Sequence, residues 1–147
     1  MRIWHHKLLP YLPDAQFKGQ LRELVAIMRD WRDKGTTNHL LINRVMLYPK
    51  SDLTLYFTVY YRQYARRYGK QASENIFMEF LTFPQEVEPN VKADLFEGWH
   101  DHGYLRVCMA NLYEKYQYGR GNSRITQDEW QRLLDGYRLI TGEDYRI

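Results

Sequence analysis

Apolar residues recur every three or four positions at Phe17, Leu21, Leu24, Val25, Ile27, Met28 and Trp31, the spacing of one helix face. The pattern opens after Pro13 at Asp14, a residue able to cap a helix, and stops near Gly35, so it predicts a first helix. Residues 36–50, "TTNHLLINRVMLYPK", read as loop and short turns with room for one helical turn. Ser51 can cap a second helix whose core face would be Leu55, Val59, Tyr60 or Tyr61, and Tyr64, ending at Gly69. Residues 72–82 predict a third, shorter helix, and Pro84 and Pro89 bracket a loop. "HDHGYLRVCMANLYEKYQYG" predicts a long helix beginning between His100 and Tyr104. Thr126 to Glu129 has the capping-box pattern and leads into Trp130, Leu133, Leu134 and Tyr137. "LTLYFTVYY" has β-propensity, but the following "RQYARRYG" continues the helical spacing. The predicted class is all-α: a compact helical bundle, one domain over residues 1–147, with the N-terminal segment packed between helices.

Composition narrows this picture. At 147 residues, with 27% charged and 44% hydrophobic side chains, the chain fits one globular core. No apolar run approaches the ~18 residues that span a bilayer, so a cytoplasmic protein is expected, and a monomer by default. The single cysteine, Cys108 in "LRVCMANL", excludes an intrachain disulfide and reads as a small buried hydrophobe. A net charge of +3 does not by itself demand a nucleic-acid partner. Rings beside cations, as in "YYRQYARRYGK" and "YEKYQYGRG", suit stacking on bases and holding phosphates. They equally suit amphipathic helices with ring bodies in the core.

Four stretches could carry chemistry. The chain opens "MRIWHH", with a cation, an aromatic ring and two imidazoles within a few bonds of the first amine. In "GQLRELVAIMRDW", Glu23 lies between apolar Leu21 and Leu24, and no cation stands one turn either way. It is an ordinary boundary glutamate or a partly buried one whose raised pKa would suit proton transfer. Tyr116, Tyr118 and Arg120 sit among glycines, so the backbone there is either a helix connection or an approach to phosphate. His5, His6, His100, Asp101 and His102 could supply metal ligands, but none has the spacing of a known zinc motif. The leading reading needs no metal and no cofactor.

The first 31 residues resemble the start of the pyrimidine-dimer DNA glycosylases of the endonuclease V type. The likeness rests on Arg2-Ile3, then Leu12-Pro13-Asp14, then Arg22-Glu23-Leu24, with a weaker echo in "LYEKY" (Leu112 to Tyr116) and Trp130. The family uses its N-terminal α-amine as nucleophile. The resemblance implies Met1 in that role here, retained because bulky Arg2 follows it. Such an amine has an ordinary pKa near 7.7–8.0 and is partly neutral without tuning. The resemblance further implies Glu23 as the carboxylate that stabilises the cationic sugar and moves protons. Arg22 and Arg2 would hold phosphates, and Lys115 would be a basic contact from the C-terminal helix. His5, Tyr118 and Arg120 complete the candidate DNA-binding set, and Trp4 is expected to pack. The implied partner is damaged double-stranded DNA, and the implied activity is glycosylase with AP lyase.

This sequence departs from the family at three places. Gln16 and Ala26 stand where the phage enzyme has a histidine and an arginine, and Asn111 replaces the first basic residue of the C-terminal helix. The departures leave the lyase core intact and open the identity of the lesion. Two other readings stand beside this one. The first is a nucleic-acid-binding helical module without catalysis, and the second is a metal-dependent nuclease built on the histidines.

Overall fold

The computed structural model describes residues 2–83 and 95–147. Met1 and the loop expected between Pro84 and Pro89 lie outside them. The fold is all-α: α1 (Asp14–Lys34), α2 (Lys50–Tyr68), α3 (Glu74–Thr82), α4 (His102–Tyr118) and α5 (Gln127–Thr141), with short 3-10 helices at His6–Tyr11, Ile42–Leu47 and Gly121–Ser123. One continuous cluster of buried apolar side chains joins residues from all five α-helices and from the N-terminal segment.

The helices start and stop for local reasons. α1 and α2 both end at a glycine with left-handed backbone, Gly35 (φ 70°) and Gly69 (φ 66°), where a Cβ would be strained. α5 starts with the expected capping box, Thr126 and Glu129 each bonding the other's backbone N–H. Two expected caps differ. α1 is entered through Pro13, and the Asp14 carboxylate accepts instead from the Tyr68 hydroxyl and pairs with Lys18 at 3.1 Å. α2 begins at Lys50 after Pro49, one residue before Ser51. In both, a proline stands at the N-cap with its φ fixed, and no side chain caps the first turn.

The buried face of α2 is also rotated from the one the spacing suggested. Leu53, Tyr56, Phe57 and Tyr60 face the core, with Asp52 at its start, while Leu55 is exposed. Tyrosines take the interior because their hydroxyls find acceptors there: Tyr60 donates to the Phe17 carbonyl at 2.8 Å, so burying the rings leaves no polar atom stranded. Cys108 is buried on α4.

The N-terminal segment runs through the bundle. The 3-10 helix His6–Tyr11 is wedged between α2 and α5. Arg67 of α2 donates to the Leu12 carbonyl at 2.8 Å and the Leu9 carbonyl at 3.2 Å, and Arg132 of α5 reaches the Pro10 carbonyl at 2.7 Å. Tyr11 lies so close to Gly136 that a Cβ there would overlap its ring. Two cations and a ring-on-glycine contact therefore fix the segment just downstream of residues 2–5.

Candidate active site and the clamp on the N-terminal segment

Gln20 and Glu23 lie on the face of α1 that meets Arg2, Ile3 and Trp4. The Arg2 amide donates to Glu23 Oε2 at 3.1 Å. Gln20 Nε2 donates to the Arg2 carbonyl at 2.8 Å and lies 3.4 Å from the same Glu23 oxygen, while Gln20 Oε1 accepts the Trp4 amide at 2.8 Å. One side-chain amide thus bonds a C=O and an N–H two residues apart, as a neighbouring β-strand would. Tyr56 of α2 donates to the Trp4 carbonyl at 2.6 Å, its oxygen 3.0 Å from Gln20 Oε1. Tyr104 of α4 donates to the Ile3 carbonyl. Helix α1 contributes two polar side chains to this short stretch of backbone, and α2 and α4 one each.

These groups are buried, and burial sets their chemistry. Gln20 and Tyr56 are both 0% exposed. Burial pushes the phenols of Tyr56 and Tyr104 well above their ordinary value, so both stay protonated donors. A buried amide or hydroxyl left without its partner costs about 1–3 kcal/mol. The clamp is therefore cooperative: removing Gln20 strands the Arg2 carbonyl and the Trp4 amide together.

Outside the clamp a cleft opens beside Glu23. It encloses about 270 Å³ and is lined by Trp4, Gln16, Arg22, Glu23, Lys115 and Asn122, among others. Lys115 also lines an adjoining groove of about 430 Å³ with Glu114, Tyr118 and Arg120. Glu23, Arg22, Lys115, Tyr118 and Arg120 are far apart in sequence, yet they line two adjoining concavities that share Lys115 and Ser123. Arg22, Arg120 and Tyr118 are exposed and Lys115 is half-buried. Arg2 lays its guanidinium 5.4 Å from the centre of the Trp4 ring, and Trp4 itself is buried.

His5 lines neither concavity. It is 2% exposed and donates from Nε2 to the His100 carbonyl at 2.9 Å, with the Lys7 amide on its Nδ1 at 3.2 Å. It borders a different cavity of about 600 Å³, together with His6, His100 and His102. The three departures from the family pattern are also placed. Gln16 donates to the Ser123 carbonyl at 3.0 Å and so braces the turn at the cleft rim. Asn111 bonds back to Val107 of its own helix at 2.8 Å, and Ala26 is half-buried on α1.

Gln20, Tyr56 and Tyr104 escaped the sequence reading. A signal for the first did exist: Gln16 and Gln20 fall on the apolar stripe that continues through Leu24, Ile27 and Met28. A glutamine on such a stripe has to find buried partners.

Comparison with known families decides the class. The sequence profile of the pyrimidine dimer DNA glycosylases matches residues 1–75, just over half of the chain. The chain belongs to that family. It is a DNA-repair glycosylase, and its substrate is DNA. The matched stretch holds Arg2, Gln20, Tyr56, Arg22 and Glu23, while Tyr104, Lys115, Tyr118 and Arg120 lie beyond it. No curated protein and no solved structure matches the chain. Among the described residues no helix is long and apolar enough to cross a membrane.

Proposed function

We propose that the protein is a glycosylase with associated AP lyase activity that works through an imine on the α-amine of Met1. One observation carries the reading: the Arg2 amide sits on the Glu23 carboxylate at 3.1 Å. The α-amine of the preceding residue is three covalent bonds from that amide nitrogen, so its distance from Glu23 has a short upper limit. An α-amine beside a carboxylate is the pair that imine chemistry requires.

In the first step the neutral amine attacks C1′ of the damaged nucleotide. The bond from C1′ to the base nitrogen breaks, and the base leaves with that electron pair and a proton. Opening of the sugar ring gives the protonated imine. Glu23 stabilises the cationic sugar and moves the protons. Loss of a C2′ proton and β-elimination of the 3′ phosphate then cut the strand on its 3′ side. Arg22 and Arg2 hold phosphates flanking the displaced nucleotide, and Lys115, Tyr118 and Arg120 hold the duplex along the groove. The substrate is a nucleotide taken out of the stack. The base released belongs to a pyrimidine dimer or another lesion, which a panel of ultraviolet-damaged, alkylated, oxidised and abasic duplexes assigns.

Borohydride trapping tests the route. Untagged protein incubated with abasic-site duplex and reductant should form a covalent adduct whose peptide map ends at Met1. No adduct, or an adduct on a lysine, overturns the assignment. A stably extended N-terminus should abolish both trapping and cutting.

A further inference from the structure

The large cavity on the other side of the N-terminal segment is not used by this chemistry. Three imidazoles gather there from two distant stretches of chain. Each of His5, His6 and His100 offers a ring nitrogen, and those nitrogens lie within 4.8 Å of one another. His6 Nδ1 and His100 Nδ1 are 3.2 Å apart. Zinc binds imidazole nitrogen at about 2.0–2.1 Å, so two ligand nitrogens on one tetrahedral ion stand roughly 3.4 Å apart. The His6–His100 spacing is already close to that value.

The surroundings favour the basic, metal-binding form of the rings. His5 donates Nε2–H to the His100 carbonyl at 2.9 Å, which leaves Nδ1 as its basic nitrogen. A carbonyl bonded to the far ring nitrogen is the usual outer support of a metal-bound histidine. The His6 amide donates to His100 Nδ1 at 3.2 Å, which marks that nitrogen too as the basic one. His100 is only 9% exposed, and its Nε2 has no hydrogen-bond partner. Burial and the neighbouring imidazoles lower the pKa of His5 to about 4 and that of His100 further still. Both rings are therefore neutral at pH 7, as metal ligation requires. The cavity wall adds the carboxylates of Glu97, Asp101 and Glu143 against one lysine, Lys7, a balance that suits a cation.

We propose that His5, His6 and His100 bind one late first-row divalent ion of the zinc type, with an open position toward the carboxylate-lined cavity. Nitrogen donors select zinc, nickel or copper over magnesium and calcium. On binding, His5 Nδ1 would exchange the Lys7 amide, and His100 Nδ1 the His6 amide, for the ion. The ion would tie residues 5–6, immediately after the clamped segment, to the turn that leads into α4. The site stands independently of the imine chemistry.

The test uses the untagged full chain, because a polyhistidine tag would mask the result. Chelator-treated protein is titrated with Zn²⁺ by calorimetry, and with Co²⁺ by its visible absorption. One ion per chain, with micromolar or tighter affinity and a Tm raised by about 4–8 °C at saturation, supports the site. His6→Ala, at a half-buried position, should weaken binding at least about 100-fold and remove the Tm shift while the metal-free Tm stays close to wild type. His102→Ala, on the wall of the same cavity but outside the cluster, should bind as wild type does. No uptake at one equivalent overturns the proposal and leaves a proton shared between His6 and His100. Undiminished uptake by His6→Ala overturns it as well. Borohydride trapping in EDTA reports on the glycosylase reading separately, since that reading needs no metal.

Discussion

The N-terminal segment is held by two kinds of chemistry on consecutive residues. Residues 2–4 are fixed by an amide and two phenols that keep one protonation state across the physiological range. Residues 5 and 6 meet a third imidazole, His100, so their environment depends on protons and, with the proposed site filled, on an ion. The first arrangement gives a fixed position beside Glu23, where the proposed nucleophile would have to be aimed to within a fraction of an ångström. The second gives a support that solution conditions can alter. The two lie on one short length of chain, so mutations can separate them.

The largest expected effect is at Glu23. Glu23→Gln keeps the shape and the acceptor for the Arg2 amide but removes the charge and the proton carrier. Single-turnover cutting of abasic duplex should fall by about 10²–10⁴-fold, with duplex affinity changed less than about threefold. Cutting within tenfold of wild type would show that the carboxylate is not part of the reaction, and that the clamp surrounds an unreactive residue.

The clamp comes next. Gln20→Leu leaves the Arg2 carbonyl and the Trp4 amide without partners and should cost about 2–4 kcal/mol in urea unfolding. Tyr56→Phe should cost about 1–2 kcal/mol. Because Tyr56 and Gln20 share the Trp4 peptide, the double variant should lose less than the sum of the singles. At temperatures where Gln20→Leu is folded, imine trapping should slow more than DNA binding weakens. Equal losses in both would make Gln20 a packing residue alone.

The imidazole side should respond to acid where the clamp does not. In the metal-free protein, held so by EDTA, His5 has a folded pKa of about 4 against an ordinary 6.5, and His100 is lower still. Below pH 6.5 the unfolded chain binds protons that the folded chain refuses, so stability rises with pH in this window. The contribution of these rings is complete above pH 6.5 and is lost as pH falls toward 4. A drop of about 2 kcal/mol per ring, roughly 4 kcal/mol for the two, is expected in urea unfolding between pH 7 and pH 5, and the Gln20→Leu increment should be the same at both values. A flat profile would mean that the rings accept protons in the folded state.

How much of this was legible in the sequence depends on the kind of interaction. Helical class, the ends of α1 and α2 at Gly35 and Gly69, and the capping box of α5 were readable because each is a local rule about backbone. The meeting of Arg22 and Glu23 with Lys115 was not readable from spacing, because it depends on how α1 packs against the turn that follows α4. The resemblance to a known family supplied it as an expectation. On α2 the spacing puts Leu55 and Tyr60 inward; Tyr60 is buried, but Leu55 is exposed and Tyr56 takes the interior, its hydroxyl donating to the Trp4 carbonyl. His5 was grouped with the DNA contacts by its closeness to the first residue. Its ring turns away from the Glu23 cleft because the His100 carbonyl, 95 positions on, takes its N–H.

The smallest expected effects separate the two sides by salt. If Lys115 and Arg120 each neutralise one phosphate, replacing either by alanine should flatten the slope of log affinity against log salt by about 0.9, with affinity at moderate salt down by about tenfold or less. The loss should be the same for damaged and undamaged duplex, since a phosphate contact carries no sequence or lesion information. His6→Ala, on the far side of the segment, should leave the slope unchanged. A slope that moves in His6→Ala but not in Arg120→Ala would put the DNA on the imidazole face and move the duplex away from the groove beside Glu23. That outcome would also turn the carboxylates of Glu97, Asp101 and Glu143 from an aid to cation binding into an obstacle to a polyanion. The charge lining the two cavities argues against it: the groove pairs Lys115 and Arg120 with the single carboxylate of Glu114, whereas the imidazole cavity sets three carboxylates against Lys7.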